Sequence, residues 1–270
     1  MTRLLYIFII ILCTASPAKA FDLEQQVIEY RLKNGMRWLL LKRTQAPIFS
    51  GMLSLRVGSI DEVPGKTGLA HMFEHMVFKG SSELGTLDFT KEKPLLDKIH
   101  QLERQKTKLT QQVNSKNNTA KIDKELKELY SAAKNYQNNT EIWDLMLRNG
   151  AGDLNAFTNK DMTAYYASMP LQGLELWMYV MAEMISEPVL RDFYTERDVV
   201  IEERRLRVEN DPDGQLLERV VNTAFPSGPS HWPVIGFKDD IAVMNDLDAK
   251  AFHEKFYVAA NMVGVIVGDI

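Results

Sequence analysis

A chain of 270 residues with 45% apolar and 25% charged side chains has the usage of an ordinary folded protein, which excludes a disordered, collagen-like or low-complexity polymer. A chain of this size buries roughly 70–75% of the surface it exposes unfolded, so it needs no disulfide staples. The formal charge of −4, from 32 basic and 36 acidic residues, argues against nucleic acid as the main partner; phosphate binding wants clustered Lys and Arg.

Residues 1–20 read as a secretory signal. Arg3 supplies the positive start, Leu4 to Leu12 is an unbroken apolar run, and Ala18-Lys19-Ala20 puts small residues at the cleavage positions. The run is shorter than the ~20 apolar residues of a transmembrane helix, so no stable span is expected after cleavage. An uncleaved anchor is the alternative. A lipoprotein signal through Cys13 is weakened by the bulky Leu12 before it. Cleavage removes Cys13, the sole cysteine, and leaves 30 basic and 36 acidic residues. Any metal site in the mature chain, 21–270, must then be built from His, Asp and Glu. The expected destination is a bacterial periplasm, with secretion as the alternative.

Residues 25–43 predict a β-hairpin, with Val27, Tyr30 and Leu32 before a turn at Asn34-Gly35 and Trp38 to Leu41 after it. Residues 48–57 predict a third strand. A loop containing Pro64 and Gly65 leads to a helix from about Leu69 to Phe78, stopped at Gly80. Over 91–136 the apolar spacing of three and four (Leu95, Ile99, Leu102, Leu109, Val113, then Ile122, Leu126, Leu129, Ala133, Tyr136) predicts two antiparallel helices. Lys106 fills one apolar slot, and polar Asn114 to Thr119 makes the turn. This inserted hairpin is either a solvated elaboration or a partner-docking arm.

Residues 150–169 combine glycines, a turn at Asn159-Lys160-Asp161 and a strand-like run through Thr163, Tyr165 and Tyr166. Residues 171–187 predict an amphipathic helix with Trp177, Val180, Met181 and Met184 toward a core. A charged helix from about Thr195 to Glu209 is broken by Asn210 to Gly214. A short helix over 216–225, a loop from Pro226 to Pro233, a helix from Leu247 to Phe256 and a strand from Met262 to Val267 complete the chain.

The segment that carries chemistry is His71-Met72-Phe73-Glu74-His75. Helical positions i and i+4 lie one above the other, so both imidazoles face one side, and Glu74 sits beside that face, placed to reach a water on a metal rather than the metal itself. The order mirrors the His-Glu-x-x-His arrangement of metalloproteases. Ala70, Met72, Phe73, Met76, Val77 and Phe78 surround the motif with apolar residues. Polar groups buried there need partners, and a metal supplies them. A catalytic zinc takes a third protein ligand and keeps one position open. Without cysteine that ligand is a carboxylate, and the candidates lie in Glu196 to Glu203. Glu196 and Glu203 are two helical turns apart on one face, with Val199 and Val200 between them, as a ligand and a supporting acid require. A solvated charged face is the alternative, with Arg204, Arg205 and Arg207 close by.

The stretches GLAHMFEHMVFKG, LNAFTNKDMTAYY, ERDVVIEERRLRVENDP, HWPVIG and VIVGD together resemble the amino-terminal domain of the insulinase/pitrilysin family, from about residue 25 to the end. That family includes the mitochondrial processing peptidase. The resemblance implies an α+β fold, with a mostly antiparallel sheet covered by helices on one face. It implies one zinc ion held by His71, His75 and Glu203, with Glu74 as general base, Glu196 as supporting acid and Asn155 helping to hold the substrate backbone. A turn-capping role is the alternative for Asn155. The implied activity is endopeptidase cleavage of peptides or unfolded segments bound as an added edge strand. It also implies a second family domain or chain that completes a chamber, and on this expectation the chain looks truncated. A non-catalytic binding or assembly subunit, or an inactive half needing a partner chain, is the competing expectation.

Overall fold

The computed structural model describes residues 23–111 and 119–270. The signal-like segment, Val113 and most of the hairpin turn lie outside the described residues.

The fold is α+β, as expected. Six strands, β1 (Ile28–Arg31), β2 (Arg37–Lys42), β3 (Ile48–Leu55), β4 (Gly152–Thr158), β5 (Thr163–Pro170) and β6 (Met262–Gly268), form one sheet in the order β1-β2-β6-β3-β5-β4. Every neighbouring pair is antiparallel except β2 and β6, which run parallel. The Asn34-Gly35 turn joins β1 to β2, with Gly35 at φ 93°. Along β3, Phe49, Gly51, Leu53 and Leu55 are buried while Ile48 and Ser50 are exposed, so one face of the sheet carries the helices.

Against that face pack α1 (Leu69–Val77), α5 (Leu174–Ser186), α6 (Phe193–Arg204) and α9 (Asp246–Phe256). Trp177 of α5 is fully buried edge-on to Phe49 and Trp38. It lies 2.6 Å from where a Cβ on Gly51 would sit, so the glycine makes room for the indole. Met72, Phe73 and Met76 of α1 enter the same core.

The inserted pair is α2 (Phe89–Thr110) and α3 (Ala120–Lys134), with a small core of its own from Ile99, Leu102, Ile122, Leu126 and Ala133. Lys106 occupies its apolar slot because its ammonium reaches Asp123 across the pair at 2.7 Å. The pair is also tied to the body at Asp246, which is fully buried. Both Asp246 oxygens accept from Arg104 Nη1 at 2.6 Å, and Oδ1 accepts from Tyr194 of α6 at 2.8 Å. Burial alone would push the Asp246 carboxyl up. The Arg104 hydrogen bond, the His100 ring beside it and the Tyr194 hydroxyl outweigh burial and hold it below its ordinary value.

A depressed carboxyl pKa means the unfolded chain binds the proton more tightly, so this stability is present above the ordinary value of 3.8 and lost as pH falls through the lower folded value. Asp246→Asn is expected to reduce unfolding free energy by about 1.5–3 kcal/mol at pH 7. It should also flatten the loss of stability below pH ~4, both read by urea unfolding across pH. An unchanged acid limb would contradict this.

Two helices are additional to those read from the sequence: α4 (Glu141–Arg148) and α8 (Lys238–Val243). The residues read as a break at 210–214 split differently. Asp211 caps α7 (Pro212–Ala224), accepting from Gly214 N at 3.1 Å, and Pro212 takes the first helical position, where its missing N–H is harmless. The helix read as 195–209 is α6 followed by a π-helical turn, Arg205–Glu209. Among the described residues no helix is long and apolar enough to cross a membrane.

Candidate metal centre and cleft

Helix α1 is held at its start by groups that the motif does not contain. Gly68 caps it at φ 89°, and a Cβ there would lie 2.6 Å from the Ile235 carbonyl, so the 235–236 loop closes directly over the helix start. Both oxygens of the buried Glu62 accept from the opening backbone, Gly68 N and Ala70 N, each at 2.8 Å. A carboxylate is favoured at a helix N-terminus.

On this helix the His71 and His75 rings stand edge to face, centroids 4.9 Å apart. Helix α6 brings Glu203 to them: Oε1 lies 3.8 Å from His71 Nε2, and Oε2 lies 3.6 Å from His75 Nε2. One ligand atom from each residue falls within 4.8 Å of the others. Ligands at zinc distances of 2.0–2.2 Å in tetrahedral geometry stand about 3.4 Å apart, so these donors fit one such ion with small side-chain shifts. Glu202 does not share the site; it is exposed and paired with Arg205. Of the two valines between Glu196 and Glu203, Val200 is buried and Val199 is 46% exposed.

The carboxylates around the two rings favour a cation between them. Burial, aided by the charges of His75 and Arg207, pushes His71 down to about 3, so its ring is neutral at ordinary pH. Glu196 Oε2 lies 3.4 Å from His75 Nδ1, and its Oε1 accepts from Lys79 Nζ. A carboxylate only accepts, so Nδ1 carries the proton and Nε2 is directed toward Glu203. Burial pulls His75 down, but the Glu196 hydrogen bond and the charges of Glu203, Glu196 and Glu74 hold it above its ordinary value. Burial opposes ionisation of Glu196 as well, yet His75 and Lys79 keep it below the usual range.

Glu74 lies beside the pair, its carboxyl raised by burial against the hydrogen bond from Thr158. These residues open on a cleft of about 770 Å³, with Glu74, Asn155, Thr158, Arg207 and Leu217 on its walls. One wall is β4, an edge strand of the sheet. Asn155 stands on it, with Oδ1 accepting from the Ala156 N–H at 2.9 Å. His231 reaches the cleft wall, whereas His100 and His253 bond the carbonyls of Leu190 and Ile185 elsewhere.

Sequence reasoning missed four residues here. Glu62 lies outside every motif, and Thr158 lies within the LNAFTNKDMTAYY stretch with no role assigned to it. Arg207 is one of several arginines, but its Nη1 lies 2.8 Å from Glu203 Oε1. Lys160 bonds the Ser230 and Trp232 carbonyls, tying the β4–β5 turn to the 230–236 loop.

A mostly antiparallel sheet carrying an inverted His-x-x-Glu-His helix opposite an acidic helix defines a metallopeptidase-type domain. The chain belongs to the insulinase family (peptidase family M16), whose family model matches residues 38–99 and 126–236. The unmatched stretch between them falls in the α2–α3 pair. The zinc protease PqqE of Helicobacter pylori is 28% identical over 242 residues, 88% of this chain and 42% of that protein. The crystal structure of a protease from Helicobacter pylori superposes with a TM-score of 0.68 at 28% identity, over 90% of this chain and 46% of that one. A peptidase M16 inactive domain from Pseudomonas fluorescens shares the fold, with a TM-score of 0.66 at 16% identity over 90% of this chain and 47% of that one. The chain thus spans about half the length of the relatives it matches.

Proposed function

We propose that this chain is the metal-binding half of an exported zinc endopeptidase that hydrolyses peptides or unfolded protein segments. The observation that carries the reading is the convergence of His71, His75 and Glu203, from two helices far apart in sequence, within 4.8 Å of one another beside Glu74. The naming of relatives as zinc proteases supports it.

His71, His75 and Glu203 would hold one zinc ion, with Glu196 orienting His75. Zinc, when bound, supplies Lewis acidity that polarises a carbonyl and acidifies water. Glu74 accepts the attacking water's proton on its carboxylate and delivers it to the departing amine. Its upward shift brings its basicity nearer neutral pH, where such a transfer works best. The exposed backbone of β4 offers an extended substrate a strand to pair with, and Asn155 holds that substrate's backbone near the ion. A second family domain closes the cleft. The exposed apolar residues of α7, Leu216, Leu217 and Val220, support such a neighbour. Export, with the periplasm as destination, rests on the signal-like residues 1–20.

A non-catalytic subunit is the second reading, favoured by the inactive domain among the structural neighbours. Zinc content and cleavage of a quenched peptide library, measured on the full-length gene product and its Glu74→Gln variant, separate the two. The peptidase reading predicts zinc in both and hydrolysis by the wild type alone. Zinc without hydrolysis in either supports the non-catalytic subunit.

A further inference from the structure

The Glu74 carboxyl has a single hydrogen-bond partner among the described residues. Its Oε2 accepts from the Thr158 hydroxyl at 2.5 Å. Thr158 ends β4 and stands opposite Thr163 across the β4–β5 pair. The Thr163 hydroxyl is fully buried and donates to the Val57 carbonyl at 2.9 Å, so its proton is committed. Its oxygen stands 3.4 Å from Thr158 Oγ1, a poorer acceptor than a carboxylate nearly 1 Å closer. The one proton of Thr158 therefore goes to Glu74. The hydroxyl itself is immobilised, because Asn159 Oδ1 fixes the turn by accepting from the Asp161 and Met162 backbone. A long flexible carboxylate is thus pinned by one oxygen to a rigid strand end, and Oε1 is left to meet the water.

We propose that Thr158 is a positioning residue for the general base: it selects the Glu74 rotamer that aims Oε1 at the attacking water. The inference rests on the peptidase reading for its kinetic consequence and on geometry alone for the rotamer. Misplacing a reacting group by about 1 Å costs on the order of 10²-fold in rate.

The test compares Thr158→Val, which keeps the shape and loses the hydroxyl, with Thr158→Ser, which keeps the hydroxyl. In the zinc-loaded full-length protein, Thr158→Val is expected to lower kcat by about 10- to 100-fold with KM within about twofold. Zinc content and melting temperature should stay near wild type, and Thr158→Ser should recover most of the rate. Full kcat in Thr158→Val, or equal impairment in Thr158→Ser, overturns the proposal. Crystal structures of the wild type and Thr158→Val decide it without turnover. Glu74 should keep one rotamer in the first and leave it in the second, and an unmoved Glu74 overturns the assignment even if the wild type hydrolyses nothing. In that last case the function reading fails separately.

Discussion

Replacing Glu74 with glutamine is expected to lower peptide hydrolysis by about 10²- to 10⁴-fold, the usual contribution of a positioned acid–base group. The amide keeps the size and polarity of the carboxyl but cannot take a proton. Glu74 is not one of the three converging donors, so zinc content should be unchanged. The amide oxygen can still accept from Thr158, so the fold around β4 should survive. The loss should therefore fall on kcat, with KM nearly constant, in steady-state cleavage of a quenched peptide. Equal rates in the two proteins would remove Glu74 from the chemistry. A Glu74→Gln protein without zinc would mean that the carboxyl serves the ion instead.

The largest effect on stability is expected at Arg191 and Glu92, whose side chains are both fully buried. Arg191 Nε and Nη2 donate to the two Glu92 oxygens at 2.7 and 3.0 Å. Nη1 donates to the Lys79 and Leu84 carbonyls, and Nη2 also donates to the Ser81 carbonyl. One guanidinium thus ties the base of the α2–α3 pair to the loop that leaves the histidine helix. Removing one member strands a buried charge and, for Arg191, three carbonyls. Arg191→Met and Glu92→Gln should each reduce unfolding free energy by about 3–5 kcal/mol. For a domain of this size that is roughly 6–20 °C in melting temperature. A change below about 1 kcal/mol in urea unfolding would show that the surroundings relax and the pair is not the clamp described.

What the sequence disclosed follows from how far each signal reaches. The strands with alternating burial, the Asn34-Gly35 turn and the helix pair with its apolar spacing were legible because their periodicity is local. So was the His71–His75 face, since an i, i+4 pair fixes its own geometry once the segment is helical. The meeting of Glu203 with those rings depends on how α1 and α6 cross, and no spacing encodes that; only the resemblance selected Glu203 over Glu202. Glu92, in the first turn of α2, and Arg191, in the loop before α6, are 99 positions apart, and neither carries a local signal. Thr158 and Glu62 act through a single hydroxyl and a single carboxylate whose targets lie 84 and six to eight residues away. Helix α4 escaped because eight residues give barely two turns of pattern.

Zinc stoichiometry of the full-length protein, by elemental analysis after exhaustive dialysis, tests the centre most directly when paired with the Glu203→Ala variant. We predict close to one zinc per chain for the wild type and a small residual fraction for the variant, because two imidazoles alone leave the ion half-held. Full zinc occupancy in a folded Glu203→Ala protein would show that the two helices do not share a cation and would contradict the account.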